Sequence, residues 1–268
     1  MSVETIAADF EAAAVEAALA GGEVLRRRFR EKGRLRVEAK GLHDFVTEVD
    51  RESEAAVLSL LARRYPGHAI LAEEGAPSTA AAGLRWIVDP LDGTTNFIHK
   101  VPTFCVSVAL EDASGLLAGA IFDPVHGETF RARRGGGAWL GADRIACSRP
   151  AGADEALLAT GFPFRELGRL DRYLRSFEAF ARMAAGIRRA GSAALDLAFT
   201  ACGRYDGFWE IGLSPWDMAA GALLVREAGG IVTDVAGGPG FLAGGSILAA
   251  GPDLHPAMLE VTRSAFGA

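Results

Sequence analysis

Cysteine is scarce in this sequence and never paired. Cys105, Cys147 and Cys202 form no CxxC motif, so neither a disulfide framework nor a thiolate metal site is indicated, and a reducing compartment is expected. The five scattered histidines make no HxxxH pair, which leaves a zinc reading without support. No apolar run approaches the length of a membrane span. Basic excess is missing too. Twenty-eight Lys and Arg stand against 34 Asp and Glu, a net charge of −6, so nothing global draws the chain to nucleic acid or an anionic membrane. The N-terminus lacks a basic segment and carries Glu4, Asp9, Glu11 and Glu16. It reads as an amphipathic helix, not a signal peptide. A cytoplasmic protein is expected, with no membrane partner and no nucleic-acid partner.

What is present is ordinary globular composition, 50% hydrophobic and 23% charged over 268 residues, enough for one large domain or two small ones. Residues 4–30 have helical period and end in RRRFR, cations placed against a helix C-terminus. Residues 46–67 read as a second helix, with Thr47 and Asp50 as a capping box and Pro66-Gly67 as its stop. A short strand in 68–75 ends on Glu73 and Glu74, and another opens at WIVD, 86–89. From 103 to 140 the pattern is that of an antiparallel meander. Its glycine run, 135–137, lacks a P-loop lysine and a following helix, so it is a hairpin turn and not a phosphate cradle. Beyond 147–156 strands and helices alternate, which implies an α/β layer with parallel pairing. The expected organisation is an N-terminal α+β half, 1–148, and a C-terminal α/β half, 149–268, interlocked as one unit.

Four carboxylates fall at element ends: Glu73, Asp89, Asp92 and Asp217. Each has an ordinary reading. Glu73 is then a solvated strand-end acid, Asp89 and Asp92 are turn formers, and Asp217 is a first-turn helix acid. If they converge, carboxylates about 4 Å apart repel by about 1 kcal/mol in water and about 4 kcal/mol at an effective dielectric of 20. Such a cluster raises its pKa values or recruits a cation, and all-oxygen ligands favour Mg²⁺ or Mn²⁺. Gly93, Thr94 and Thr95 would open a short helix whose free N–H groups suit an anion. Together these residues describe metal-assisted hydrolysis of a phosphate ester.

On LAEE (71–74), DPLDGTTNF (89–97) and EIGLSPWDMAAGALLVREAGG (210–230), the chain resembles the inositol monophosphatase family, its bacterial branch in particular. That family stands within the magnesium-dependent phosphatases that include the fructose-bisphosphatases, and the resemblance runs from about residue 5 to about 262. It implies an α-β-α-β-α layered sandwich and a Mg²⁺-dependent phosphomonoesterase acting on inositol monophosphate. Glu73, Asp89 and the Leu91 carbonyl would hold one Mg²⁺. Asp89, Asp92 and Asp217 would hold a second, and a third, weaker site would lie near Glu73, with Mn²⁺ as a substitute. Thr94 and Asp50 match a dyad that orients the attacking water, with capping as the rival role for Asp50. The amides of Gly93, Thr94 and Thr95 would cradle phosphate. Gly191, Ser192 and Ala193 match a turn that meets substrate hydroxyls, and Glu210 an acid that accepts from them. Lys40 matches a lysine near the metals, with a solvated surface lysine as the alternative. TGFPF (160–164) departs from the animal members. A homodimer and lithium sensitivity are further family expectations.

Rival readings are limited. A haloacid-dehalogenase-type phosphatase needs two acids two positions apart, whereas position 91 is Leu. Histidinol phosphate, fructose 1,6-bisphosphate and phosphoadenosine nucleotides share the metal carboxylates, and Glu210 favours a polyol over a second phosphate. An interaction module with residual activity has the basic run 26–36 as its only support.

Overall fold

The computed structural model describes residues 3–31, 36–41, 44–75, 83–164 and 166–267. The chain begins with α1 (Val3–Arg30), whose small residues Ala13, Ala14, Ala17 and Ala18 are fully buried. A Cβ on Gly22 would lie 2.2 Å from the Phe122 ring, so this helical glycine is there for close approach to the sheet, offsetting its cost of about 1 kcal/mol. After a hairpin of β1 (Val37–Gly41) and β2 (Asp44–Thr47) comes α2 (Glu48–Arg64), capped by Thr47 with Asp50 completing the box. Lys40 belongs to β1, but its side chain lies outside the described residues.

Seven strands follow in one sheet, in the order β3 (Ala69–Ala72), β4 (Arg85–Asp92), β5 (Cys105–Asp112), β6 (Gly115–Asp123), β7 (Glu128–Arg133), β8 (Gly137–Leu140) and β9 (Asp143–Ile145). Only β3 and β4 are parallel; the rest form the expected meander, with the 135–137 glycines in the β7–β8 hairpin. A short α3 (Thr94–Ile98) joins β4 to β5.

The second sheet contains β10 (Leu157–Thr160), β11 (Gly186–Arg188), β12 (Gly207–Ile211), β13 (Ile231–Thr233) and β14 (Ser246–Ala250), in the order β11-β10-β12-β14-β13. Its helices are α4 (Leu170–Met183), α5 (Ala193–Ala201), α6 (Pro215–Glu227), α7 (Phe241–Gly244) and α8 (His255–Phe266). The expectation of parallel pairing holds for β10 with β11 and β12, and fails for β14, which runs antiparallel to both β12 and β13. Twelve residues with one four-residue helix link β13 to β14. The chain turns back there and does not cross over.

The layers are α1 and α2, the seven-stranded sheet, α5 and α6, the five-stranded sheet, then α4 and α8. This is the α-β-α-β-α sandwich that the motifs implied. Helix α6 is buried along Asp217–Val225, on all sides, because both of its neighbours are sheets. Arg28 at the end of α1 reaches Glu31 at 2.8 Å and Glu48 at 2.7 Å, so that part of the basic run is matched by acids. No helix of the described residues is long and apolar enough to cross a membrane.

Candidate active site

The parallel pair β3–β4 sends two acids to one edge of the sheet. Ala72 lies opposite Val88, and the Glu73 amide donates to the Val88 carbonyl at 3.2 Å, which sets Glu73 beside Asp89. Strand β4 does not turn at Asp89-Pro90, as the dipeptide suggested, but runs on to Asp92. Asp89 faces Ser107 and Asp92 faces Cys105, three residues against two, so a bulge lies between them. In a regular strand, positions three apart point to opposite faces; the extra residue restores a common face. Pro90 sits inside the bulge, where its missing N–H costs no ladder bond.

Asp217 arrives from the other side. Ser107, the partner of Asp89, donates to the Trp216 carbonyl at 3.3 Å and ties the first turn of α6 to β5. The Asp217 carboxylate closes a capping box by accepting the Ser214 amide at 2.7 Å. Asp89, Asp92 and Asp217 each bring one carboxylate oxygen within 4.8 Å of the others. Asp89 is 1% exposed, and burial, followed by the charges of Glu73, Asp92 and Asp217, pushes its carboxyl well above the usual value. An all-oxygen donor set of high negative charge fits a hard divalent cation. The Leu91 carbonyl borders the same space, accepting the Thr94 hydroxyl at 3.1 Å.

Beyond Asp92 the chain takes a left-handed step at Gly93 (φ 98°) and enters α3. A Cβ there would lie 2.8 Å from the Thr103 carbonyl oxygen. The first-turn amides of Thr94 and Thr95 face the cavity end of that helix, where intrahelical acceptors do not exist. The Thr94 hydroxyl also lies 3.0 Å from Asp50 Oδ1, so its single proton has the carboxylate and the Leu91 carbonyl as alternative acceptors. Asp50 accepts the Thr47 amide and hydroxyl through Oδ2, so capping and contact with Thr94 use different oxygens. Burial raises its carboxyl, and the bonds from Thr47 and Thr94 pull it back down.

A cavity of about 360 Å³ opens over these groups and reaches the second half of the chain. Gly191, Ser192, Ala193 and Glu210 line its far side, with Arg189 and Phe164 at the mouth. The Ser192 hydroxyl, at the cap of α5, and the Ala194 amide both donate to Asp92 Oδ2 at 2.7 Å. Asn96, which the sequence reading passed over, donates to the carbonyls of Thr103 at 2.7 Å and Ala190 at 2.9 Å, and so stitches α3 to the turn before α5. Arg189, Ser53 and Glu54 were also missed. The last two follow Asp50 by three and four residues, a helical-face signal available in the sequence.

Comparison with known proteins agrees with this geometry. The inositol monophosphatase family matches residues 7–265. The chain is 48% identical over 251 residues to the Nus factor SuhB of Pseudomonas aeruginosa, covering 92% of this chain and 93% of that one. It is 42% identical over 255 residues to the inositol-1-monophosphatase of Mesorhizobium japonicum, covering 95% and 96%. The crystal structure of the extragenic suppressor protein suhB from Bartonella henselae superposes with a TM-score of 0.90 at 40% identity, covering 94% and 97%. Three acids converging on a bulged strand, in a sandwich shared along nearly its whole length, place this chain in the inositol monophosphatase family.

Proposed function

We propose that this protein is a Mg²⁺-dependent phosphomonoesterase that hydrolyses inositol monophosphate to inositol and phosphate by direct attack of water. The observation that carries this reading is the Asp50–Thr94 contact, 3.0 Å long, beside the three convergent acids. Glu73, Asp89 and the Leu91 carbonyl are assigned to one Mg²⁺. Asp89, Asp92 and Asp217 are assigned to a second, with a third near Glu73 and Mn²⁺ as a substitute. When bound, the cation supplies a lowered pKa for its water and a counter-charge for the leaving oxygen. Thr94, hydrogen-bonded to Asp50, presents its oxygen lone pairs to the attacking water and orients it. The amides of Gly93, Thr94 and Thr95 hold the phosphate oxygens.

Glu210 is assigned to vicinal hydroxyls of the leaving group, which a carboxylate accepts in pairs; Gly191, Ser192 and Ala193 shape that end. Arg189 shares the cavity, so histidinol phosphate, fructose 1,6-bisphosphate and phosphoadenosine nucleotides are the alternative substrates to compare. The halves 1–148 and 149–268 act as one unit because the site draws on both, and the assembly is a lithium-sensitive homodimer in the cytoplasm.

The test is phosphate release from myo-inositol 1-phosphate across a Mg²⁺ titration, with histidinol phosphate and fructose 1,6-bisphosphate in parallel. Strong Mg²⁺-dependent turnover favouring the inositol ester supports the reading, whereas preference for another ester keeps the mechanism and overturns the substrate. A second reading comes from the name Nus factor, carried by relatives such as the Pseudomonas aeruginosa protein: an interaction role alongside the enzyme. The pairing of Arg28 with Glu31 and Glu48 weighs against a bare nucleic-acid surface there. An RNA gel shift whose affinity falls steeply with salt would reverse that judgement.

A further inference from the structure

Three buried polar side chains on one face of α2 each hold a different part of the site. Asp50 accepts the Thr94 hydroxyl at 3.0 Å. Ser53, fully buried, donates at 2.7 Å to the carbonyl of Pro90, between the two acids of β4. Glu54, 8% exposed, accepts the Glu74 amide at 3.0 Å through Oε2. The spacing 50, 53, 54 is i, i+3, i+4, which places all three on one helical stripe. Ser53 and Glu54 do not line the cavity, so neither is placed to touch substrate.

Burial raises the Glu54 carboxyl, with the bond from the Glu74 amide opposing. A buried acid on a helix otherwise packed by Val57 and Leu61 costs stability that an apolar residue there would not. The turn is also pressed onto it, since a Cβ on Gly75 would lie 3.1 Å from Glu54 Oε1. We propose that Glu54 is a positioning residue for the metal centre, gripping the Glu73–Gly75 turn by the Glu74 amide so that Glu73 is set against the Asp89–Asp92 bulge through the rigid frame of α2. This rests on the metal-centre reading above.

The test is calorimetric titration of the full-length protein with Mg²⁺ alone, without substrate, for wild type, Glu54→Leu, Glu54→Gln and Gly75→Ala, with Glu52→Gln as a charge-matched control on the same helix. Glu54→Leu removes the acceptor at similar size and is expected to weaken Mg²⁺ binding about tenfold or more. Glu54→Gln keeps a carbonyl for the Glu74 amide and is expected to bind within about threefold of wild type. Gly75→Ala, which keeps the carboxylate and crowds the turn, is expected to weaken binding several-fold and remains informative if Glu54→Leu does not fold. Mg²⁺ affinity unchanged in both Glu54→Leu and Gly75→Ala, whatever their melting temperatures, overturns the proposal. So does Glu54→Gln binding as weakly as Glu54→Leu, since charge and not the amide grip would then be at work. A wild type that binds no Mg²⁺ overturns the metal-centre reading and this one with it, and is distinguished by failing before any substitution is made.

Discussion

Asp50 divides its two carboxylate oxygens between the helix cap and Thr94: Oδ2 takes the Thr47 amide and hydroxyl, Oδ1 the Thr94 hydroxyl. Removing the Thr94 hydroxyl by Thr94→Val should therefore leave α2 capped and the acids in place. Turnover is expected to fall about 10²- to 10⁴-fold with Mg²⁺ affinity nearly unchanged, and Thr94→Ser should restore most of it; parallel kinetics and calorimetry decide. Asp196 is the opposite kind of acid. It is 1% exposed, and among the described residues neither carboxylate oxygen has a hydrogen-bond partner. Burial, then the charges of Glu210 and Asp92, raise its carboxyl well above 3.8. A raised carboxyl means the folded state holds its proton longer than the unfolded chain, so stability falls as pH rises above 3.8 towards the folded value. Asp196→Leu should lose that slope and gain about 1–3 kcal/mol at neutral pH. Urea melts at pH 5 and pH 8 should show the gain larger at pH 8; an equal or negative gain sinks the argument.

At the scale of elements, the β4 bulge and the step at Gly93 do most to assemble the site. Gly93→Ala is expected to cost about 1–3 kcal/mol, because φ is 98° and the new Cβ meets the Thr103 carbonyl oxygen at 2.8 Å. Thermal melts would show this loss, with a fall in phosphatase activity expected beside it because Gly93 leads into the Thr94–Thr95 turn, and an unaltered melt would mean the step is not strained. The same stretch shows what was legible in the sequence. Glu73, Asp89, Asp92, Thr94 and Asp217 stand in short motifs, and the start of α2 was visible from the capping box of Thr47 and Asp50. Asp-Pro and Asp-Gly signal a break in the chain but do not say whether it is a turn or a bulge. That depends on the partner strand β5, which supplies two residues against three. Glu54 reaches across 20 residues, Asn96 across 94, and the antiparallel β12–β14 pairing joins strands separated by α6 and β13. The helical spacing marks Glu54 beside Asp50, but the distant partners in these contacts leave no local period to read.

The whole molecule converges on one acid. Asp92 lies on the seven-stranded sheet, yet its Oδ2 is held by Ser192 and Ala194 at the start of α5, in the layer between the sheets. Charge at this point is therefore felt by both halves of the sandwich. The raised Asp89 carboxyl, caused by burial and then by Glu73, Asp92 and Asp217, fixes the sign of the pH dependence. Without metal, the folded state keeps the Asp89 proton that the unfolded chain gives up, so its stability falls as pH rises above 3.8. A cation held by these acids would reverse this, since the carboxylates would then have a counter-charge in place of the proton. On the proposed reading Mg²⁺ would compete with that proton, so its affinity should weaken as pH falls. At about 100 times its dissociation constant a ligand adds about 2.7 kcal/mol, and each kcal/mol moves the melting temperature by roughly 2–4 °C in a chain near this size. Thermal melts with and without Mg²⁺ should thus differ by roughly 5–10 °C at pH 8, and by much less at pH 5.5. A shift independent of pH would count against these acids ionising against one another and holding the cation.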